Sequence, residues 1–232
     1  MFEIKNLTAG YSDESAAIHS INVQMPSSEI CAIVGSNGAG KTTLLKSIMG
    51  LIPSKTGSII FDGEDIAQWN SEKISRSGIA YVPQGRMIFP YLTVEENLLL
   101  GCEVRKMNLK KAIELGYEYF PDLKGIRNRK GGMLSGGQQQ QLAIARMLVV
   151  EPKMILLDEP AEGIQPNVVQ EIGRILQKVA SELNVTVLLV EQFVSFALNL
   201  SHSYYFLQGG EITSGSKITD DNRKGIIESI KL

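Results

Sequence analysis

The sequence predicts an α/β fold: a core of parallel strands covered by helices on both faces, an N-terminal antiparallel β-subdomain, and a helical subdomain inserted into the core. Three observations carry this. The apolar run Ile30-Cys31-Ala32-Ile33-Val34 enters a glycine-rich turn and leaves it in a helical stretch, giving strand, loop and helix in order. The runs at 154–157 and 185–190 are apolar at successive positions, as strands buried on both faces require. Residues from about 94 to 148 read mainly as helix.

Taken in order, residues 1 to about 30 read as short alternating strands with turns, such as Phe2-Glu3-Ile4-Lys5 and Ile18-His19-Ser20-Ile21-Asn22-Val23. A helix is predicted over 42–49. Ile59-Ile60-Phe61-Asp62-Gly63 reads as strand plus turn, and Ile79-Ala80-Tyr81-Val82 as a buried strand ending at Pro83-Gln84. Pro121 and Gly131-Gly132 punctuate the helical insertion, which occupies roughly 90–150 of one domain spanning 1–232. Internal repeats, low-complexity segments and sustained heptads are not evident.

The 232 residues suffice for a substantial core, and 44% hydrophobic with 21% charged residues is ordinary for a globular protein. A net charge of -2 gives no reason to expect nucleic-acid binding. No apolar stretch approaches the ~20 residues of a membrane span, and the N-terminus lacks the features of a signal peptide. A cytoplasmic chain is expected, whose membrane role comes through partners. Cys31 and Cys102 form no C-x-x-C and are expected to be structural, and two histidines give no metal-site spacing.

The chemistry starts at Gly35-Ser36-Asn37-Gly38-Ala39-Gly40-Lys41-Thr42, which fits the P-loop pattern, with Thr43 next to it. Such a loop wraps backbone N–H groups around phosphate oxygens, and the following helix adds its positive end. Lys41 is expected to reach the β- and γ-phosphates of ATP, and Thr42 to supply a hydroxyl to Mg²⁺. Asp158 ends an apolar strand beside those phosphates, which suits a Mg²⁺ ligand, and Glu159 is the natural base for an attacking water. Leu134-Ser135-Gly136-Gly137-Gln138 precedes a helical stretch, 138–149, and so offers a second anion-binding helix N-terminus. One ATP does not need two such N-termini from distant segments of one small domain.

The ordered set of P-loop, Leu134-Ser135-Gly136-Gly137-Gln138 and Met154-Ile155-Leu156-Leu157-Asp158-Glu159 resembles the ATP-binding-cassette (ABC) ATPases over essentially the whole chain. The resemblance implies a head-to-tail dimer in which Ser135, Gly136, Gly137 and Gln138 cap the ATP held by the partner's P-loop. It further implies that Gln84 touches Mg²⁺ or the attacking water, that Tyr11 stacks on adenine, and that Ala161-Glu162-Gly163-Ile164-Gln165-Pro166 meets the partner subunit. Ile164-Gln165 departs from the Leu-Asp pair common there. Gln192 stands where most members carry a histidine that contacts the γ-phosphate; neither His19 nor His202 falls at that position. A glutamine amide can donate to phosphate but cannot become a cation near neutral pH. This favours pairing with a histidine-bearing sister ATPase, a homodimer being the alternative.

Tyr81-Val82-Pro83-Gln84-Gly85-Arg86 and Leu92-Thr93-Val94-Glu95-Glu96-Asn97-Leu98 resemble the branched-chain amino-acid uptake group. The stretches 134–144, 158–166 and 189–193 look closest to the urea importer's second ATP-binding subunit. This implies two integral-membrane permeases, an extracytoplasmic substrate-binding protein and a place on the cytoplasmic face of the cell membrane. Urea is the expected solute and branched-chain amino acids the alternative; a non-hydrolysing, ATP-gated dimerisation module is a third reading. ABC ATPases acting on DNA or ribosomes carry tandem cassettes or a coiled-coil insertion, which this sequence lacks. The apolar loop Gly85-Arg86-Met87-Ile88-Phe89-Pro90-Tyr91 suits docking of a permease helix, or else folds back onto the helical subdomain.

Overall fold

The computed structural model describes residues 1–12, 15–103 and 108–230. In chain order, a hairpin of β1 (Phe2–Ser12) and β2 (Ser15–Met25) is followed by β3 (Ile30–Val34), α1 (Lys41–Ile48), β4 (Ser54–Phe61), β5 (Glu64–Asp65), α2 (Ser71–Ser77) and β6 (Ile79–Val82). Helices α3 (Val94–Glu103), α4 (Leu109–Tyr119), α5 (Pro121–Gly125) and α6 (Gly136–Leu148) come next, with a short 3-10 turn at Gly131–Met133. The chain then runs through β7 (Met154–Asp158), α7 (Pro166–Glu182), β8 (Thr186–Glu191), α8 (Val194–Leu200), β9 (Ser203–Gln208), β10 (Glu211–Lys217) and α9 (Asp220–Ser229).

The strands form two sheets. One is antiparallel, in the order β2-β1-β4-β5; the other, β10-β9-β3-β8-β7-β6, is parallel apart from its edge strand β10. Side-chain alternation sends the apolar runs of the parallel sheet to two separate cores. Cys31, Ile33, Met154, Leu156, Leu188 and Val190 face a core shared with α1 and the antiparallel sheet. Ile30, Ala32, Val34, Ile155, Leu157, Val187 and Leu189 face the opposite one, filled by the later helices. That double burial is why polar residues in β7 and β8 are confined to the strand ends.

The N-terminal strands are 11 residues each, longer than the alternation predicts. Asn6 and Ser20 are the reason: both take positive φ, where the register shifts, and each breaks the pattern without ending the strand. The Asn6 N–H donates to Asn22 Oδ1 and that of Ser20 to Thr8 Oγ1, and the slip returns Leu7 to the core.

The helices follow from caps and stripes. Thr93 and Glu96 exchange hydrogen bonds at the start of α3, a capping box. In α7, Pro166 stands in the first turn and Ile172, Ile175, Leu176 and Val179 make one buried face. Helix α6 begins at Gly136, two residues before the predicted start. Beyond Gly210 the chain forms β10 and α9, and Arg223 Nη1 from α9 donates to the terminal carbonyls of α8 at Leu198 and Asn199. Among the described residues no helix is long and apolar enough to cross a membrane. Cys31 is fully buried and its thiol is pushed up to about 12, chiefly by that burial, which leaves it inert as expected. The side chain of Cys102 lies outside the described residues.

Candidate active site

The P-loop is held from behind by the end of β8 and the turn between β9 and β10. Gly35 N–H donates to Glu191 O at 3.2 Å, and Gly210 N–H to Ala39 O at 3.1 Å. Ser36, Asn37 and Gly38 are exposed, while Ala39 tucks inward. Gly40 has φ 106°, and a Cβ there would lie 2.6 Å from Ile18 Cγ2, so both backbone and space demand glycine. Helix α1 starts at Lys41, which leaves the N–H groups of Lys41, Thr42 and Thr43 without carbonyls one turn earlier. Such donors suit an anion; the Thr43 side chain itself is buried. Lys41 is 4% exposed, and its Nζ reaches Gly35 O and Ser36 O, both at 2.9 Å, and Glu159 Oε1 at 3.0 Å.

Asp158 ends β7 almost fully buried. Its Oδ1 accepts from Thr42 Oγ1 at 3.1 Å and its Oδ2 from the Tyr81 hydroxyl at 2.9 Å. Burial raises its pKa above the ordinary carboxylate value, and the two hydroxyl donors oppose that rise. Thr42 and Asp158 therefore present adjacent hard oxygens, the donor set Mg²⁺ takes when one carboxylate shares it with phosphates and water. Among the described residues no cluster of three or more His, Cys, Asp or Glu forms a protein-only metal cage.

Glu159 takes φ 50°, a strained left-handed turn for a non-glycine residue, while its N–H extends the ladder to Val190 O. Gln84, just past β6, points its amide nitrogen at Glu159 Oε2 (3.1 Å) and Glu162 Oε2 (3.0 Å). Its amide donor is thus directed at the candidate base rather than at the Thr42–Asp158 pair.

Sequence reasoning missed four residues here. Tyr81 holds Asp158, and Glu162 shares Gln84. Glu191 lies at the end of β8, where its buried carboxylate accepts from the N–H groups of Ala161 (2.8 Å), Gln192 (3.1 Å) and Phe193 (3.4 Å). Burial raises its pKa to about 7 despite those three donors. The fourth is Arg86. Its Nη1 reaches Gln139 Oε1 at 3.3 Å on α6 and its Nη2 reaches Glu162 O at 3.2 Å. One guanidinium thus ties the loop after Gln84 to α6 and to the turn after β7.

The remaining expected residues make no side-chain hydrogen bond to this centre among the described residues. Gln192 is exposed at the exit of β8. Tyr11 is exposed near the end of β1, with Lys46 Nζ 5.8 Å from its ring centre. His19 contributes its backbone N–H to Gly210 O, and His202 Nδ1 accepts from Ile30 N–H, so both serve structure. Ser135 caps α6 by accepting from Gln138 N–H while the Gln138 side chain accepts from Ser135 N–H. At Gly137 a Cβ would sit 2.8 Å from Val168 Cγ1, so α6 begins pressed against α7. Helix α6 packs on α3, α4, α5, α7 and β6, whereas α1 packs on β1, β2, β7 and β8. The stretch 135–138 thus starts in a different layer from the P-loop.

A family model for ABC transporters matches residues 18–162. The chain is 41% identical over 207 residues to the high-affinity branched-chain amino acid transport ATP-binding protein BraG of Pseudomonas aeruginosa, with 87% of each chain covered. It is 38% identical over 213 residues to the probable branched-chain amino acid transport ATP-binding protein LivF of Archaeoglobus fulgidus, covering 91% of this chain and 90% of that one. Among solved structures, a nucleotide-free ATP-binding cassette from an ABC transporter superposes with TM-score 0.86 at 25% identity, over 99% of this chain and 95% of the other. A dimeric bacterial ABC transporter cassette does so with TM-score 0.83 at 26% identity, over 94% and 99%. The chain belongs to the ABC transporter family, as an ATP-hydrolysing subunit similar to those of the BraG and LivF type.

Proposed function

We propose that this chain is one of two ATPase subunits driving a solute importer, and that the solute is a branched-chain amino acid. The observation that carries the catalytic part is the pair of bonded groups beside the P-loop, Lys41 and Gln84 on Glu159 and Thr42 on Asp158, whose two carboxylates are adjacent in sequence. The P-loop N–H groups and Lys41 bind and orient the phosphates, and Tyr11 offers its exposed ring to the adenine. Glu159 accepts a proton from the attacking water, and the Gln84 amide orients that carboxylate and the water. Mg²⁺, held by Thr42 and Asp158 with Gln84 nearby, would neutralise charge on the phosphates. The whole chain acts as one cassette, with the helices between β6 and β7 as its helical subdomain.

The solute rests on likeness alone. Two relatives at 41% and 38% identity are named for branched-chain amino acids, which supports that class over the urea suggested by the motif stretches. The partner set is a sister cassette joined head to tail, two permeases and an extracytoplasmic binding protein, with this subunit on the cytoplasmic face of the membrane. Met87, Phe89 and Tyr91 are 66%, 48% and 85% exposed, which supports docking of a permease there over a loop folded back on the helices. A heterodimer is favoured because Gln192 supplies no cation; the sister's histidine carries that role.

The test is ATP turnover by the purified chain alone and in proteoliposomes with sister ATPase, permeases and binding protein, together with uptake of radiolabelled leucine and urea. Turnover that is weak alone, rises on assembly and vanishes with Glu159→Gln, together with leucine uptake, is expected. Full turnover alone, unchanged by partners, refutes the asymmetric pairing; uptake of urea but not leucine refutes the solute.

A further inference from the structure

Glu191 is 1% exposed, and no cation forms an ion pair with it among the described residues. Its carboxylate bridges two segments of the site. Oε1 accepts from Ala161 N–H at 2.8 Å, in the turn that carries Glu159. Oε2 accepts from the N–H groups of Gln192 at 3.1 Å and Phe193 at 3.4 Å, at the exit of β8. The turn is closed by Glu162 N–H on Glu159 O at 3.1 Å, so a shift of Ala161 is a shift of the segment on which Glu159 stands. At the exit, Gln192 and Phe193 are exposed, and α8 starts without a side-chain cap of its own. The Glu191 carbonyl ties in a third segment, since it accepts from Gly35 N–H at the head of the P-loop.

A buried carboxylate with no cation beside it is a disfavoured choice for a joint that only fills space. Burial lifts its pKa to about 7 in spite of the three donors. Its partners account for the residue type. All three are N–H groups, shared between the two oxygens, so the joint needs an acceptor at each oxygen. A glutamine offers one oxygen and turns its NH2 group toward the donors of the other segment. An aspartate is one methylene shorter. An ionised glutamate meets both segments at once.

We propose that Glu191 is a positioning residue for ATP hydrolysis: its carboxylate holds the Glu159 turn and the Gln192 segment in register with each other. The inference rests on the catalytic reading above and adds a residue that touches neither nucleotide nor attacking water. Glu159 and Gln192 then act as one unit, the candidate base at one side of the joint and the amide offered to the γ-phosphate at the other. Without the joint both side chains remain but lose their common setting. Nucleotide still binds at the P-loop, while the chemical step slows.

Single-turnover ATP hydrolysis by the chain in excess, at pH 8, gives the rate of the chemical step, and a fluorescent ATP analogue gives nucleotide affinity. Glu191→Gln is expected to slow the step on the order of 10- to 100-fold, with affinity unchanged within about 2-fold. Gln192→Ala also slows the step in the wild type. In the Glu191→Gln background its effect is expected to shrink to about 2-fold or less, because residues that act together are not additive. A wild-type rate in Glu191→Gln overturns the proposal, as does a loss of rate matched by an equal loss of affinity. So does a wild-type rate in Gln192→Ala, or full multiplication of the two effects in the double variant. Should Glu191→Gln not fold, Glu191→Asp decides: a slowed step at wild-type affinity supports the proposal, and a wild-type rate overturns it. Glu159→Gln separates the two readings. If it leaves hydrolysis intact, the catalytic reading fails; if it abolishes hydrolysis while Glu191→Gln does not slow it, only this inference does.

Discussion

Glu191 gives the fold a dependence on pH whose sign is opposite to that of an ordinary paired carboxylate. Its folded pKa is raised from 4.5 to about 7, first by burial and further by the charge of Glu159, against the pull of three backbone N–H donors. Between those values the folded state holds a proton that the unfolded chain releases, so stability falls as pH rises. The contribution is greatest below about 4.5 and is lost by about 7. At ~1.4 kcal/mol per pH unit, this window corresponds to about 3 kcal/mol, a sizeable share of the 5–15 kcal/mol typical of a domain. Glu191→Gln keeps the shape and one acceptor but removes the titration. Urea unfolding followed by circular dichroism at pH 5, 6, 7 and 8 measures the effect. Relative to the variant, the wild type is expected to lose about 2–3 kcal/mol from pH 5 to 8. Parallel stability curves, or wild type gaining with pH, would refute the reasoning.

Tyr81→Phe removes the hydroxyl that donates to Asp158 at 2.9 Å. Hydrogen bonds to charged groups contribute about 1.5–3 kcal/mol, so turnover is expected to fall about 10-fold or more, with the acidic limb of its pH profile moving upward. Gln192→His restores a group able to become a cation; ATPase assays of the assembled transporter are expected to gain about one decade. Gly40→Ala meets both a positive φ and Ile18, and thermal melts should report a loss of about 2–4 kcal/mol. The 2.6 Å ion pair of Lys153 and Asp62 is largely exposed, so Asp62→Asn is expected to change stability by less than about 1 kcal/mol; a larger change in urea unfolding would contradict that.

The placement of the P-loop, Asp158 and Glu159 was legible because it depends on local spacing: a turn into a helix, and a carboxylate at a strand's end. Tyr81 was not, since it reads as one more residue of an apolar strand and its partner lies 77 positions away. Glu191 gave a faint signal, a charge closing an apolar strand. Strand register pairs Val190 with Asp158 and Glu191 with Val34, which puts that charge at the level of the site. Gln84 was expected at the metal or the water, and only side-chain geometry shows its amide directed at two carboxylates. The parallel strands were visible as uninterrupted apolar runs. The length of β1 and β2 was hidden by Asn6 and Ser20, because a bulge imitates a strand end to any reading based on alternation.

Arg86 has a consequence for cooperativity. In the head-to-tail dimer proposed above, α6 caps one nucleotide while Glu159 works on the other, and within this chain the Arg86 side chain grips both neighbourhoods. A displacement at either nucleotide is thereby passed to the other through one rigid planar group rather than across the subunit interface. In the proposed pairing, the nucleotide capped by this chain's α6 and the one beside its Glu159 are therefore coupled through this chain itself.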